Sequence, residues 1–134
     1  MKKLFGLMLL CTTMILSFSS CSDDETFDYP METLYGKWVG SEIYYDGEWI
    51  DLSNWMYQNL SFSISFNEDG TYYGEGFFGN GHGTYEAIGK NITTYVNGKK
   101  YLTYYVKSLS NNTAEITMYD NSGDSMELRV KKVN

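Results

Sequence analysis

The chain has 134 residues, with 17 acidic and 10 basic side chains, a net charge of −7, and a heavy aromatic load of 13 tyrosines, seven phenylalanines and three tryptophans. That length admits a single domain of ordinary size, and the acidic balance repels phosphate backbones and anionic headgroups alike, which argues against nucleic-acid binding and electrostatic membrane attachment. One proline against 13 glycines favours strands joined by tight turns.

Met1 to Ser20 joins a cationic start (Lys2, Lys3) to an apolar stretch from Leu4 to about Leu16 and a short run of mostly small polar residues. This is the pattern of a secretory signal peptide, and the apolar stretch falls short of the roughly 20 residues that a membrane-spanning helix needs. Phe18-Ser19-Ser20 before Cys21 resembles the bacterial lipobox, whose cysteine is lipidated and becomes the first mature residue; Phe18 stands where leucine is usual. Ser22, Asp23, Asp24 and Glu25 resemble the acidic export signal that sends Bacteroidetes lipoproteins to the outer face of the outer membrane. The resemblance implies acylation of Cys21, with palmitate as the label that would detect it, and a surface-exposed, lipid-anchored location. Cys11 lies in the leader, so no thiol is left for a disulfide or a metal, and the exported domain must rely on its core. Removing 20 of the 134 residues leaves 114; with Lys2 and Lys3 gone, eight basic residues face 17 acidic ones, a net charge of −9. Residues 21–31 are acidic and aperiodic and read as a flexible tether, which makes 32–134 the folded domain.

Along that domain the signal is alternation of period two, the mark of half-buried strands. It is plainest at Leu60, Phe62, Ile64 and Phe66, at Ala114, Ile116 and Met118, and at Met126, Leu128 and Val130. Asp46-Gly47 and Asn97-Gly98 suit the positive φ of type I′ hairpin turns, and Gly89-Lys90-Asn91 marks a third turn. Strands are predicted near 36–45, 48–51, 60–67, 70–78, 83–88, 92–96, 100–108, 113–119 and 125–132. A turn of helix is expected at Thr33-Leu34 and a short helix over Ser53–Gln58, after the first hairpin. Both faces of Tyr101–Val106 are aromatic or apolar, so inside and outside stay unassigned there. Short strands at even spacing predict an all-β fold, an up-and-down antiparallel barrel of about eight strands, because closure removes exposed edges. A β-sandwich is the alternative.

Gly36-Lys37-Trp38 at the head of the first strand resembles the Gly-x-Trp element of lipocalins. The following meander, with Phe66-Asn67-Glu68-Asp69-Gly70-Thr71-Tyr72 and Gly83-Thr84-Tyr85, resembles the lipocalin-like domains of Bacteroidetes lipoproteins over roughly residues 32 to 133. In lipocalins the tryptophan closes one end of the barrel and an arginine of the last strand packs across it. The resemblance therefore implies barrel closure by Gly36, Trp38 and Arg129.

Residues suited to catalysis are sparse. His82 lies among glycines (Gly79-Asn80-Gly81-His82-Gly83) and reads as a turn residue without the partners a zinc site or a triad needs. Asp46, Glu48 and Asp51, and Glu68 with Asp69, sit at predicted turns, where solvation accounts for them; the first group offers calcium at most a weak site. No enzyme activity, cofactor or metal is expected. Asp124-Ser125-Met126 resembles the Bacteroidetes O-glycosylation motif, and a turn-to-strand junction explains it equally well.

Two functions remain. In the first, a monomeric, non-catalytic barrel takes a small, partly apolar ligand in its mouth or interior, lined or rimmed by Trp49, Trp55, Tyr57, Tyr73 and Phe77. In the second, the barrel exterior docks an outer-membrane assembly, a glycan or an external protein.

Overall fold

The computed structural model describes residues 26–133. The leader, Cys21 and the segment Ser22, Asp23, Asp24 and Glu25 lie outside them. A short helix α1 (Met31–Leu34) leads into β1 (Gly36–Tyr45) and β2 (Glu48–Asp51), followed by a 3-10 helix over Trp55–Leu60. The remaining strands are β3 (Phe62–Phe66), β4 (Thr71–Gly76), β5 (Gly81–Ile88), β6 (Asn91–Val96), β7 (Lys99–Leu109), β8 (Thr113–Tyr119) and β9 (Ser125–Lys132). From β3 to β9 each strand pairs with the next, and β1 pairs with both β3 and β9. Eight strands thus make a closed up-and-down antiparallel barrel with β2 as an extra strand, and the β1–β9 ladder rules out the sandwich.

The turns follow from their residues. Asp46 (φ 52°) with Gly47 (φ 86°), and Asn97 (φ 56°) with Gly98 (φ 79°), have the two positive φ values that make tight hairpins. Asp51, Asp69 and Asp120 serve as turn caps. The Asp69 carboxylate accepts hydrogen bonds from Thr71 N (3.0 Å) and Oγ1 (2.6 Å), and that of Asp120 accepts from Ser122 N (2.9 Å) and Asp124 N (3.1 Å). Asp51 does the same for Ser53 (N at 2.9 Å, Oγ at 2.8 Å).

Alternation places Phe62, Ile64 and Phe66, Ala114 and Ile116, and Leu128 and Val130 in the barrel core. Each large apolar side chain fully withdrawn from water contributes about 1.5–3 kcal/mol. For the ambiguous Tyr101–Val106 the structure decides: Tyr104 and Val106 are buried and Tyr105 is exposed. Three bulges interrupt the alternation. In β1 the register with β9 shifts between Gly40 and Glu42, so Trp38 and Ile43 both point inward although five residues separate them. In β7 it shifts between Val106 and Ser108. Between β6 and β7 it shifts after Thr93, and the fully buried Thr94 hydroxyl donates to Leu102 O (2.8 Å) and accepts from Leu102 N (2.9 Å), supplying the two bonds that the bulge removes from the ladder.

Two expectations are corrected. The tether is not free up to residue 31: Phe27, Tyr29 and Met31 pack against the core. Phe27 bridges to Gly89, where Gly89 N donates to Thr26 O and Asp28 N to Gly89 O (both 2.8 Å). Phe27, Tyr29 and Met31 recur with period two, a signal that the neighbouring acids obscure. His82 is not in a turn but in β5, exposed and paired with Tyr73. Gly83 beside it is needed for close approach, since a Cβ there would lie 1.8 Å from Tyr95 O.

Candidate functional site

The two ends of the barrel differ, and the strand directions say which residues meet at each. At the end where β1 starts and β9 finishes, α1 and the segment 26–30 cover the opening. Trp38 is 2% exposed, and its indole Nε1 donates to Leu34 O at 2.8 Å. Gly36, at φ 131°, takes a backbone conformation closed to most side chains, which explains the glycine two residues ahead of the tryptophan. The expected Arg129 cap is not what covers Trp38. Arg129 alternates with the inward Leu128 and Val130, so it points outward and stacks 3.8 Å from the Trp49 ring centre. Lys132, directly paired with Trp38, is the cation over that indole, 5.1 Å away.

Above Trp38 the barrel is full. Phe66 is the hub of an aromatic cluster with Tyr72, Tyr85 and Tyr104, at ring separations of 5.9, 4.9 and 6.1 Å. The hydroxyls of Tyr72 and Tyr104 face each other at 3.4 Å, and Tyr85 donates to Asn67 O at 2.8 Å. Burial pushes the Tyr85 phenol up to about 12 and drives those of Tyr72 and Tyr104 above the ordinary value. The space left among Trp38, Ile64, Phe66, Tyr104 and their neighbours is about 20 Å³, and a second gap beside Tyr72 is about 10 Å³. Neither holds more than one water, so the interior has no room for a ligand.

The opposite end carries an apolar recess of about 350 Å³, lined by Ile43, Tyr45, Ile50, Tyr57, Leu60, Phe77 and Met126. The β1–β2 hairpin makes one wall: Ile43 pairs with Ile50, and Tyr45, two residues on, shares their face. The 3-10 helix supplies Tyr57 and Leu60. Phe77 follows β4, and Met126 comes from the start of β9. Asn54 starts the 3-10 helix by accepting from Met56 N at 3.0 Å. Tyr45 (62% exposed) and Phe77 (50%) stand at the rim, and Trp55 (79%) and Met56 (55%) lie beside it.

Of the expected ligand residues, Tyr57 and Phe77 line the recess and Trp49, Trp55 and Tyr73 do not. Trp49 adjoins the inward Ile50 and so faces out, edge-on to Tyr44 at 5.2 Å and under Arg129. Tyr73 adjoins the buried Tyr72 and faces solvent. Aromatic content marks an abundance of such side chains, not the face they occupy. Ile43, Tyr45, Ile50, Leu60 and Met126 were missed as lining residues. Propagating the register from the Asp46-Gly47 turn puts the first three together, and Leu60 and Met126 belong to alternating runs.

On the outer wall Arg129 joins Glu42 (2.9 Å) and Glu115 (3.3 Å), and Lys107 joins Glu115 (3.3 Å) and Glu127 (3.0 Å). Burial raises the Glu115 carboxyl, but hydrogen bonds from Lys107 and Arg129 outweigh it and hold the group below its ordinary value. Among the described residues no three metal-ligating side chains come together, the Asp46–Asp51 stretch included. Ser125 opens β9, exposed and paired with Tyr119. Comparison of the chain with protein-family models and with curated proteins found no match to either.

Proposed function

We propose that this protein is a lipid-anchored, surface-exposed outer-membrane lipoprotein whose lipocalin-like barrel binds a small, partly apolar molecule without catalysis, in the recess at its mouth and not in its interior. The observation that carries this reading is the recess itself: about 350 Å³ of space walled by side chains that are almost entirely carbon, beside an interior already filled. Ligand pockets usually measure about 300–1,000 Å³ and combine apolar walls with a few polar groups; here the phenols of Tyr45 and Tyr57 are the polar groups at hand.

The position of the tether agrees with that use. Thr26 and Phe27 join the fold at the Gly89 turn, at the end opposite the recess. The five steps from Cys21 to Thr26 reach at most about 18 Å, whereas Trp38 to Tyr45 along β1 already spans about 23 Å. A chain acylated at Cys21 therefore holds its recess away from its own membrane, toward molecules arriving from outside.

The test has two arms. Radiolabelled palmitate should mark the protein in cells, and the Cys21→Ala variant should stay unlabelled. Titration of an apolar fluorescent probe should saturate at one site, and the Tyr45→Ser/Phe77→Ser variant should lose about tenfold in affinity, the loss of about 1.4 kcal/mol of apolar contact. Binding unchanged in that variant would remove the recess from the function.

A second reading, docking of a protein or glycan, is favoured by Trp55 and Met56, which leave large apolar surfaces in water beside the recess. Crosslinking in intact cells followed by pull-down would recover a partner that Trp55→Ser loses; recovery of the monomer alone would dismiss it.

A further inference from the structure

The charges framing the recess are mostly of one sign, and this bears on which apolar molecules it accepts. Its lining side chains contribute two phenol hydroxyls and no ionised group. Its surroundings are acidic. Glu48 lies directly across the ladder from the rim residue Tyr45, and Asp46 occupies the turn between them. Asp51, next along from the lining residue Ile50, faces the outer wall, paired with Glu42 and within the field of Lys131, and takes no part at the rim. On the β9 side Asp120 and Asp124 bracket the turn that leads into Met126. Asp120 accepts hydrogen bonds from Ser122, which hold its carboxyl below the ordinary value and so keep it charged at neutral pH.

Among the described residues the salt bridges of the cations go to acids other than Asp46 and Glu48. Arg129 and Lys107 lie on the outer wall and are engaged with Glu42, Glu115 and Glu127. Lys100, at the start of β7, lies against the Asp120–Asp124 turn, where Asn121 Nδ2 donates to its carbonyl oxygen at 2.9 Å, so it faces that pair of acids and is separated by β8 and β9 from Asp46 and Glu48 in the β1–β2 hairpin. A molecule seated by its apolar part in the recess leaves its polar end at the rim, beside Asp46 and Glu48. Charges act across the roughly 8 Å screening length of physiological salt, and an anionic end beside Asp46 and Glu48 meets repulsion there with no cation in the lining to offset it.

We propose that the recess selects apolar molecules whose polar end is neutral or cationic and discriminates against carboxylate-ended ones such as fatty acids. This rests on the recess being the binding site, as proposed above, and adds the class of molecule it takes. It makes the site a receiver of amines, alcohols or uncharged ring compounds.

The experiment compares three probes with the same chain, decylamine, decanol and decanoate, by calorimetric titration of the whole mature domain at low and at high ionic strength. The amine should bind about tenfold more tightly than the carboxylate at low salt, with the alcohol between them, and the gap should shrink at high salt as screening removes the charge difference. The Asp46→Asn/Glu48→Gln variant should narrow the gap at low salt while leaving the alcohol unchanged. Decanoate binding as tightly as decylamine overturns the selectivity and leaves the recess intact as a site. Failure of all three probes to bind overturns the recess reading and the selectivity with it. Amine binding that persists unchanged in Tyr45→Ser/Phe77→Ser reports adsorption to the acidic surface and overturns the selectivity.

Discussion

The two ends of this barrel are built from the same kinds of residue and differ in what those residues touch. At the closed end an indole, Trp38, is wrapped by α1, bonded to Leu34 O and covered by Lys132. At the mouth a tyrosine and a phenylalanine, Tyr45 and Phe77, stand more than half and half exposed around empty space. Aromatic side chains are thus spent on stability at one end and left accessible at the other. Accessible apolar surface costs solubility and contributes little to folding, and the binding role proposed above would account for its being kept.

The sharpest way to break this contrast is at the closed end. Trp38→Ala should cost about 3–5 kcal/mol in denaturant unfolding, because it empties a buried core site and removes the bond to Leu34 O; a midpoint equal to that of the wild type would mean the end is not sealed as described. Next comes the bulge between β6 and β7. Thr94→Val keeps the shape but leaves Leu102 N–H and C=O without partners, at about 1–3 kcal/mol, and amide exchange at Leu102 should speed up in step.

Smaller still is Tyr85→Phe, which removes the bond to Asn67 O and should cost about 1 kcal/mol at neutral pH. It carries a second signature. The folded phenol titrates at about 12, above its ordinary value near 10. The folded state therefore holds its proton longer than the unfolded chain does, so the associated stability is complete below pH 10 and drains away as the pH rises toward 12. Tyr85→Phe should lessen the alkaline loss of stability, measured by unfolding between pH 9 and 12, while the share from the raised phenols of Tyr72 and Tyr104 persists. The smallest effect belongs to the mouth: Tyr45→Ser and Phe77→Ser should each shift stability by about 0.5 kcal/mol or less. A larger loss there would make the rim part of the core and erase the contrast.

Much of this architecture is legible residue by residue. The Asp46-Gly47 and Asn97-Gly98 pairs specify their hairpins locally, because the positive φ they accept is a property of those residues alone. Strands with clean alternation, such as 62–66 and 125–132, declare their inner faces for the same reason. The bulges are not legible. Simple alternation from Trp38 would turn Glu42 and Tyr44 inward; the extra residue at Ser41 in β1 turns Ile43 and Tyr45 inward instead and so creates one wall of the recess. The displacement of Arg129 from Trp38 to Trp49 is of another kind. Its parity beside Leu128 and Val130 was readable, and the resemblance to lipocalins pointed the other way.

Local chemistry, acting over a few neighbours, thus determined the strands, the turns and the all-β class. Closure of the barrel, the filling of its interior by Tyr72, Tyr85 and Tyr104, and the gathering of Ile43, Ile50, Leu60, Phe77 and Met126 around one space were decided only in three dimensions. These residues are far apart along the chain, and their meeting depends on register shifts set by how whole strands pack, a balance that no short stretch of sequence contains.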